Sequence, residues 1–219
     1  MDNAFTCQTC GQDFTVPEAA LKKYPGWTPR VCLKCKDASG GSKRSNKKKK
    51  SPRKKSRTAS ANLTLAQVLD QCREGPSDGL FTDGSSIPNP GPGGWGAVYV
   101  VDGQVVDQAY GHDPDTTNNR MELTALIQGA RLVPEGKQVT VYTDSNLCCQ
   151  TLTQWAKGWK ARGWKRKGGE IKNLDLVQEA YALYQSRPEL KLQWIQAHDG
   201  SRWNEYADAL STAWARDEL

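Results

Sequence analysis

Four carboxylates stand at punctuation points of the sequence. Asp83 closes the run "GLFTD" just before "GSS", and Glu122 lies in the opening turns of "NNRMELTALIQGARLV". Asp144 ends "VTVYTD", and Asp208 follows "HDGSRWNEYA" early in the last helix-like stretch. Taken singly, each is an ordinary cap or solvated charge. Acids at strand ends and helix starts can converge over one sheet edge, however, and such a cluster costs repulsion unless a cation neutralises it. Hard oxygen donors suit Mg2+, which keeps waters and bridges carboxylates to phosphate. A second metal chemistry is written near the N-terminus, where Cys7-x2-Cys10 and Cys32-x2-Cys35 pair four of the seven cysteines. Two thiolate pairs fill every position of a tetrahedral ion, which points to structural rather than catalytic Zn2+.

These groups can act only if the intervening chain folds them together. "TLAQVLDQCREG" predicts a short helix with Thr64 as N-cap, Gln67 at N3 and Gly75 as a stop. "GLFTDGSS" and "GWGAVYVVDGQVVDQAYG" read as strands, with Asp102-Gly103 as a hairpin signal. A helix over "NNRMELTALIQGARLV" and a buried apolar strand over "KQVTVYTD" follow. Helices are expected at 145–160, 174–185 and 204–216, with a strand at 190–196. Hairpins followed by strand–helix alternation imply a mixed sheet with helices against its faces.

Charge divides the chain into three. Residues 1–35 carry four basic and three acidic groups, residues 36–60 eleven and one, and residues 61–219 fifteen and twenty, so the net +6 resolves into +1, +10 and −5. The expected organisation is a zinc-ribbon-like module at 1–37, a basic linker at 38–61, a connecting helix at 62–76 and a catalytic domain at 77–219. The linker, with "NKKKKSPRKKSR", should add salt-dependent affinity for polyanions, or serve as a nuclear import address. No window reads as a membrane span and the first residues lack a signal peptide pattern, so the expected setting is intracellular, cytoplasmic in a prokaryote and open to the nucleus in a eukaryote.

One stretch, "WAKGWKARGWKRK", alternates Trp155, Trp159 and Trp164 with six Lys and Arg, among them Lys160, Arg162 and Lys165. A core stripe, a membrane-surface helix and a grip on a nucleic-acid backbone would each use such a pattern. Trp155 and Trp159 share a helix face, and Gly158 and Gly163 argue against one continuous helix past them.

The blocks "FTDGSSIPNPGPGGWGAVYV", "TTNNRMELTALIQGARLV", "VTVYTDSNLCCQTLTQWAKGWKARGWKRKGGEIKNLDL" and "LQWIQAHDGSRWNEYADALS" resemble type 1 ribonuclease H, in the family's order and over roughly residues 79–216. The resemblance implies a ribonuclease H-like α/β fold, a mixed five-stranded sheet with helices on both faces. It also implies endonucleolytic cleavage of the RNA strand of RNA/DNA hybrids with two Mg2+, or Mn2+ in their place, leaving 5′-phosphate and 3′-hydroxyl ends. The catalytic acids carry over to Asp83, Glu122, Asp144 and Asp208, all metal ligands, and the mobile histidine to His198. Ser85, Asn89, Thr117, Asn119, Asn173 and Asn204 carry over as substrate contacts. "WAKGWKARGWKRK" matches the family's basic protrusion. There Trp155 is expected to anchor, while Trp159, Trp164, Lys160, Arg162 and Lys165 face the DNA strand. Two departures stand out: Trp203 in the loop after His198, and Val177 where bacterial relatives carry an aromatic residue. The expected partners are the hybrid and other nucleic acid through the linker or zinc module, with no membrane and a monomeric chain.

Overall fold

The computed structural model describes residues 3–18, 21, 28–35 and 63–216, in two compact units, Met1–Ser56 and Arg57–Leu219. The linker expected at 38–61 lies outside the described residues.

In the first unit, β1 (Ala4–Thr6) and β2 (Asp13–Thr15) form an antiparallel hairpin with Phe5 opposite Phe14. The turn between them is built around a cysteine: Gly11 donates its N–H to the Cys7 carbonyl at 2.8 Å. Gly11 takes φ +71°, the left-handed region that glycine enters without a Cβ penalty.

The second unit opens with α1 (Leu65–Gln71), capped as expected. Thr64 accepts from the Gln67 N–H while the Gln67 side chain accepts from the Thr64 N–H, a reciprocal capping box. The helix ends at Gln71 rather than running to Gly75. Five strands follow, β3 (Gly79–Ser86), β4 (Gly91–Val101), β5 (Gln104–Thr116), β6 (Val139–Thr143) and β7 (Leu190–Trp194). They form a mixed sheet in the order β5-β4-β3-β6-β7. β3 lies at its centre, antiparallel to β4 and parallel to β6. Asp102 and Gly103 both take positive φ at the β4–β5 turn, as a two-residue hairpin requires.

Successive side chains of β3 point to opposite faces, and each face has its own core. Leu80 packs with Leu126 and Ile127 of α2 (Asn118–Ala130) and with Ala180 and Tyr181 of α5 (Leu174–Ser186). Phe81 packs on the other face with Val68 of α1 and with Trp203 and Leu210 of α6 (Arg202–Ala213). Burial of these two apolar layers drives the fold, at about 25 cal/mol per Å² of apolar surface removed from water. Trp203 is 4% exposed and meets Tyr206 edge-on, which settles its role as local packing.

The helix expected at 145–160 is not uniform. It runs as α3 (Asn146–Gln150), a π-helical turn (Thr151–Trp155) and α4 (Ala156–Ala161). Gly163 and Trp164 then take φ near +60° and break the chain away. Beyond α6 the chain tightens to a 3-10 turn, Trp214–Arg216. No helix among the described residues is long and apolar enough to cross a membrane.

Candidate active site

The central strands place the acids. Phe81, Asp83 and Ser85 alternate onto the face covered by α6. In the parallel pair, Thr82 is in register with Thr143, so Asp83 and Asp144 take the next rung of neighbouring strands. The third acid arrives from α2, and Gly84 is what admits it. A Cβ on Gly84 would lie 2.2 Å from the Met121 carbonyl carbon and 2.3 Å from the Glu122 nitrogen. Any larger residue would push the start of α2, and Glu122 with it, away from the strand. Gly96, beside Asp83 on β4, does the same for α6, where its Cβ would stand 2.5 Å from Leu210 Cβ.

Carboxylate oxygens of Asp83, Glu122 and Asp144 can all lie within 4.8 Å of one another. Asp83 is 7% exposed and its Oδ2 accepts from Ser211 Oγ at 2.9 Å. Burial, reinforced by the charges of Asp144 and Asp208, pushes Asp83 well above the usual carboxylate range. Burial does the same to Glu122, with Asp83 and Asp144 adding to it. Asp144 and Asp208 are also raised by burial, with His198 opposing the rise in both. Glu122 Oε2 is buried without a hydrogen-bond partner. Repulsion, burial and an acceptor without a donor describe a hard-oxygen site that a divalent cation would complete, and this donor set fits Mg2+.

Asp208 belongs to an adjoining group, its carboxylate within 4.8 Å of ligand atoms on His198 and Glu205. His198 is exposed, takes φ +50° and sets Nδ1 3.7 Å from Glu205 Oε2. Glu205, 5% exposed, also accepts from the Gly200 N–H at 3.4 Å, which ties the histidine loop to α6. It was missed in the sequence. The signal available was its i, i+3 spacing to Asp208, which puts both acids on one helix face.

The residues expected to contact substrate divide. Thr117 is the N-cap of α2, accepting from the Arg120 N–H, and Asn89 accepts from the Asn118 N–H. Asn119, Asn173, Trp155 and Trp159 line one cleft of 260 Å³, with Arg166 and Lys172 also on its wall. Lys160, Arg162 and Lys165 are exposed, and Lys160 reaches over the Tyr181 ring.

Three of these residues, Trp159, Trp164 and Asn204, are packed into the domain to different depths. Trp159 is half-buried against the core and lines the cleft, while Trp155 is 37% exposed and tilted against it at 5.9 Å. Leu152, Ala156 and Trp159 form the inward stripe at i, i+4 and i+7, which leaves Trp155 to one side. Trp164 faces inward as well, edge-on to Tyr181 at 6.0 Å and packed against the same core. Asn204 is 1% exposed, and its side chain holds Asp144 down against the rise that burial causes.

In the first unit, Cys7, Cys10, Cys32 and Cys35 bring their sulfurs within 4.8 Å of one another. Cys10 Sγ and Cys32 Sγ are 3.8 Å apart. Four ~2.3 Å metal–sulfur bonds in a tetrahedron give edges of about 3.8 Å, so the spacing fits Zn2+ and is far too long for a disulfide. The backbone N–H of Cys32 points at Cys7 Sγ from 3.2 Å and, with neighbouring amides, lowers that thiol to about 6. Cys35 is pushed up to about 12, first by its hydrogen bond with Cys10. Thiols packed this closely share too little positive charge for all to ionise, and a bound cation would resolve the conflict.

Comparison with known proteins gives a consistent result. The RNase H family model matches residues 76–216. Ribonuclease H of Hahella chejuensis is 39% identical over 141 residues, covering 64% of this chain and 94% of the relative. That of Cupriavidus necator is 44% identical over 133 residues, covering 60% and 90%. The Methylorubrum extorquens protein is 42% identical over 140 residues, but the match spans only 60% of its length. Among solved structures, LC9-RNase H1, described as a type 1 RNase H with the type 2 active-site motif, is 30% identical with a TM-score of 0.52 over 67% of this chain and 76% of that one. The PFV RNase H domain, at 21% identity and a TM-score of 0.53, shares the fold over 64% of this chain and 95% of its own.

Proposed function

This chain belongs to the ribonuclease H family, and on that premise we propose that it cuts the RNA strand of RNA/DNA hybrids internally, leaving 5′-phosphate and 3′-hydroxyl ends. The observation that carries the reading is the convergence of Asp83, buried, with Glu122 and Asp144, half-buried, their charges uncompensated. Those acids and Asp208 would hold two Mg2+, or Mn2+ in their place, which supply activation of the attacking water and stabilisation of the leaving oxygen.

The chain's own groups do the rest. Asp83, grouped with Glu122 and Asp144 and acted on by the charge of Asp208, would be the central one of the acids that hold the ions. Glu122, only half-buried as a residue, can accept from the 2′-hydroxyl beside the scissile phosphate, which DNA lacks. His198 moves a proton near the leaving group, and Glu205 behind it holds the ring and balances its charge when protonated. Ser85, Asn89, Thr117, Asn119 and Asn173 offer neutral groups to sugar and phosphate, fixing register without reading bases. Trp159, with Trp155 beside it, gives the DNA strand a ring to pack against while Lys160, Arg162 and Lys165 hold its phosphates.

In the first unit the four cysteines would hold one structural Zn2+. The basic segment at 38–61 would tether nucleic acid and raise the local substrate concentration. The chain would work as a monomer inside the cell, away from membranes.

Cleavage of a uniform RNA/DNA hybrid in Mg2+ tests the reading, with single-stranded RNA, duplex RNA and duplex DNA as controls. Only the hybrid should be cut, and Asp144→Asn should cost well over the roughly 100-fold that removing an outer partner costs. Hybrid binding without cleavage by the unmodified chain would refute the enzymatic role.

A further inference from the structure

Ser211 lies in the third turn of α6 and is 0% exposed. A hydroxyl sealed in an apolar layer costs free energy unless its proton and lone pairs are used. Ser211 has more partners than protons. Asp83 Oδ2 lies 2.9 Å from its Oγ, the Asp208 carbonyl 2.9 Å away and Ser85 Oγ 3.3 Å away. It has one proton to give, and of the two acceptors the carboxylate is the stronger. With the proton on Asp83, the contact with Ser85 requires Ser85 to be the donor. The three groups thus form a directed chain from half-buried Ser85, through Ser211, to the central acid.

We propose that Ser211 is a positioning residue whose hydroxyl holds the Asp83 carboxylate in its metal-accepting orientation, with Ser85 holding the hydroxyl in turn. The inference rests on the metal-site reading given above. Among the described residues, Ser211 is the side chain that donates a hydrogen bond to Asp83. The bond occupies one lone pair of one oxygen, and the others remain for cations. Because the Asp208 carbonyl is equally close, the proton has a second resting place on the same helix if a cation draws charge from Asp83. Partners of this kind orient ligands and govern affinity for the ion without touching it.

The test uses the zinc-loaded full chain, titrated with Mn2+ in the absence of nucleic acid and followed by the loss of the free-ion electron paramagnetic resonance signal. Ser211→Ala should weaken Mn2+ binding on the order of 10-fold, and the Mg2+ concentration for half-maximal cleavage should rise in parallel. Ser211→Thr keeps the hydroxyl and should bind within about twofold of the original. Circular dichroism melts in chelator identify which variants are folded. The proposal is overturned if folded Ser211→Ala binds Mn2+ as before, or if folded Thr and Ala variants lose affinity equally. If Thr does not fold, Ser211→Cys, a weak donor of similar size, takes its place and should fall between Ser and Ala. Asp83→Asn separates the two levels: unchanged Mn2+ binding in that variant would defeat the metal-site reading itself, whereas loss there with no loss in Ser211→Ala defeats only the role of Ser211.

Discussion

At the scale of single residues, the four acids were legible through the sequence blocks around them, although only Asp144, just past β6, stands at an element's end: Asp83 lies inside β3 and Asp208 midway along α6. Their supporters were not. Ser211 is 128 positions from the acid it touches, and nothing in its own neighbourhood distinguishes it from any helical serine. Glu205 reads as an ordinary first-turn acid until the His198 loop is seen folding back onto it. Its burial gives a direct expectation. Glu205→Gln should lower kcat about 10-fold with KM nearly unchanged, since an outer partner is lost and no substrate contact is. Steady-state kinetics on the hybrid checks this, and a change confined to KM would place Glu205 at the substrate instead.

At the scale of elements, the approach of α2 to β3 depends on a missing side chain. Gly84→Ala should destabilise the domain by about 1–3 kcal/mol, the usual cost of overpacking, because the colliding atoms are backbone and cannot rotate away. It should also depress cleavage beyond what the unfolded fraction explains, as Glu122 is displaced; denaturant melts and kinetics on one sample separate the two. The protrusion was only half legible. Tryptophan spacing located it and Gly163 marked its end, but which ring faces inward depends on helical phase, and the π turn at Thr151–Trp155 alters that phase without a sequence signal of its own. The consequence is a difference in burial between Trp155 and Trp164. Trp155→Ala should raise KM for the hybrid severalfold with the melting temperature nearly unchanged. Trp164→Ala should cost roughly 2 kcal/mol of stability, less than the 3–5 of a fully buried ring, because it is only half-buried.

At the scale of the whole molecule, the raised acids set the pH response. Without cations, a folded acid raised above its ordinary value of about 4 binds protons more tightly than its unfolded counterpart. Its contribution is fully present below the ordinary range and is lost as pH climbs through the raised value. Asp83, Glu122, Asp144 and Asp208 all act in this sense. Asp175, bonded to Arg120, and Glu189, bonded to Arg187, are lowered and act oppositely, losing their contribution as pH falls through their depressed values. In chelator, thermal unfolding of the domain should therefore be most resistant in mildly acidic solution and fall toward pH 8. Mg2+ should recover the loss, more at pH 8 than at pH 5. A melting temperature in chelator that climbs steadily from pH 5 to pH 8 would contradict the burial of these charges.

The rung shared by Asp83 and Asp144 carries a further consequence. Side chains along a strand alternate between faces, so moving β6 past β3 by one residue would send Asp144 to the opposite side of the sheet from Asp83. A chain collapsed with that slip could keep its helices and much of its apolar burial and still be unable to assemble the acid cluster. Recovery of cleavage during refolding therefore times the pairing of two particular strands, a long-range event that helix-sensitive spectroscopy would not resolve.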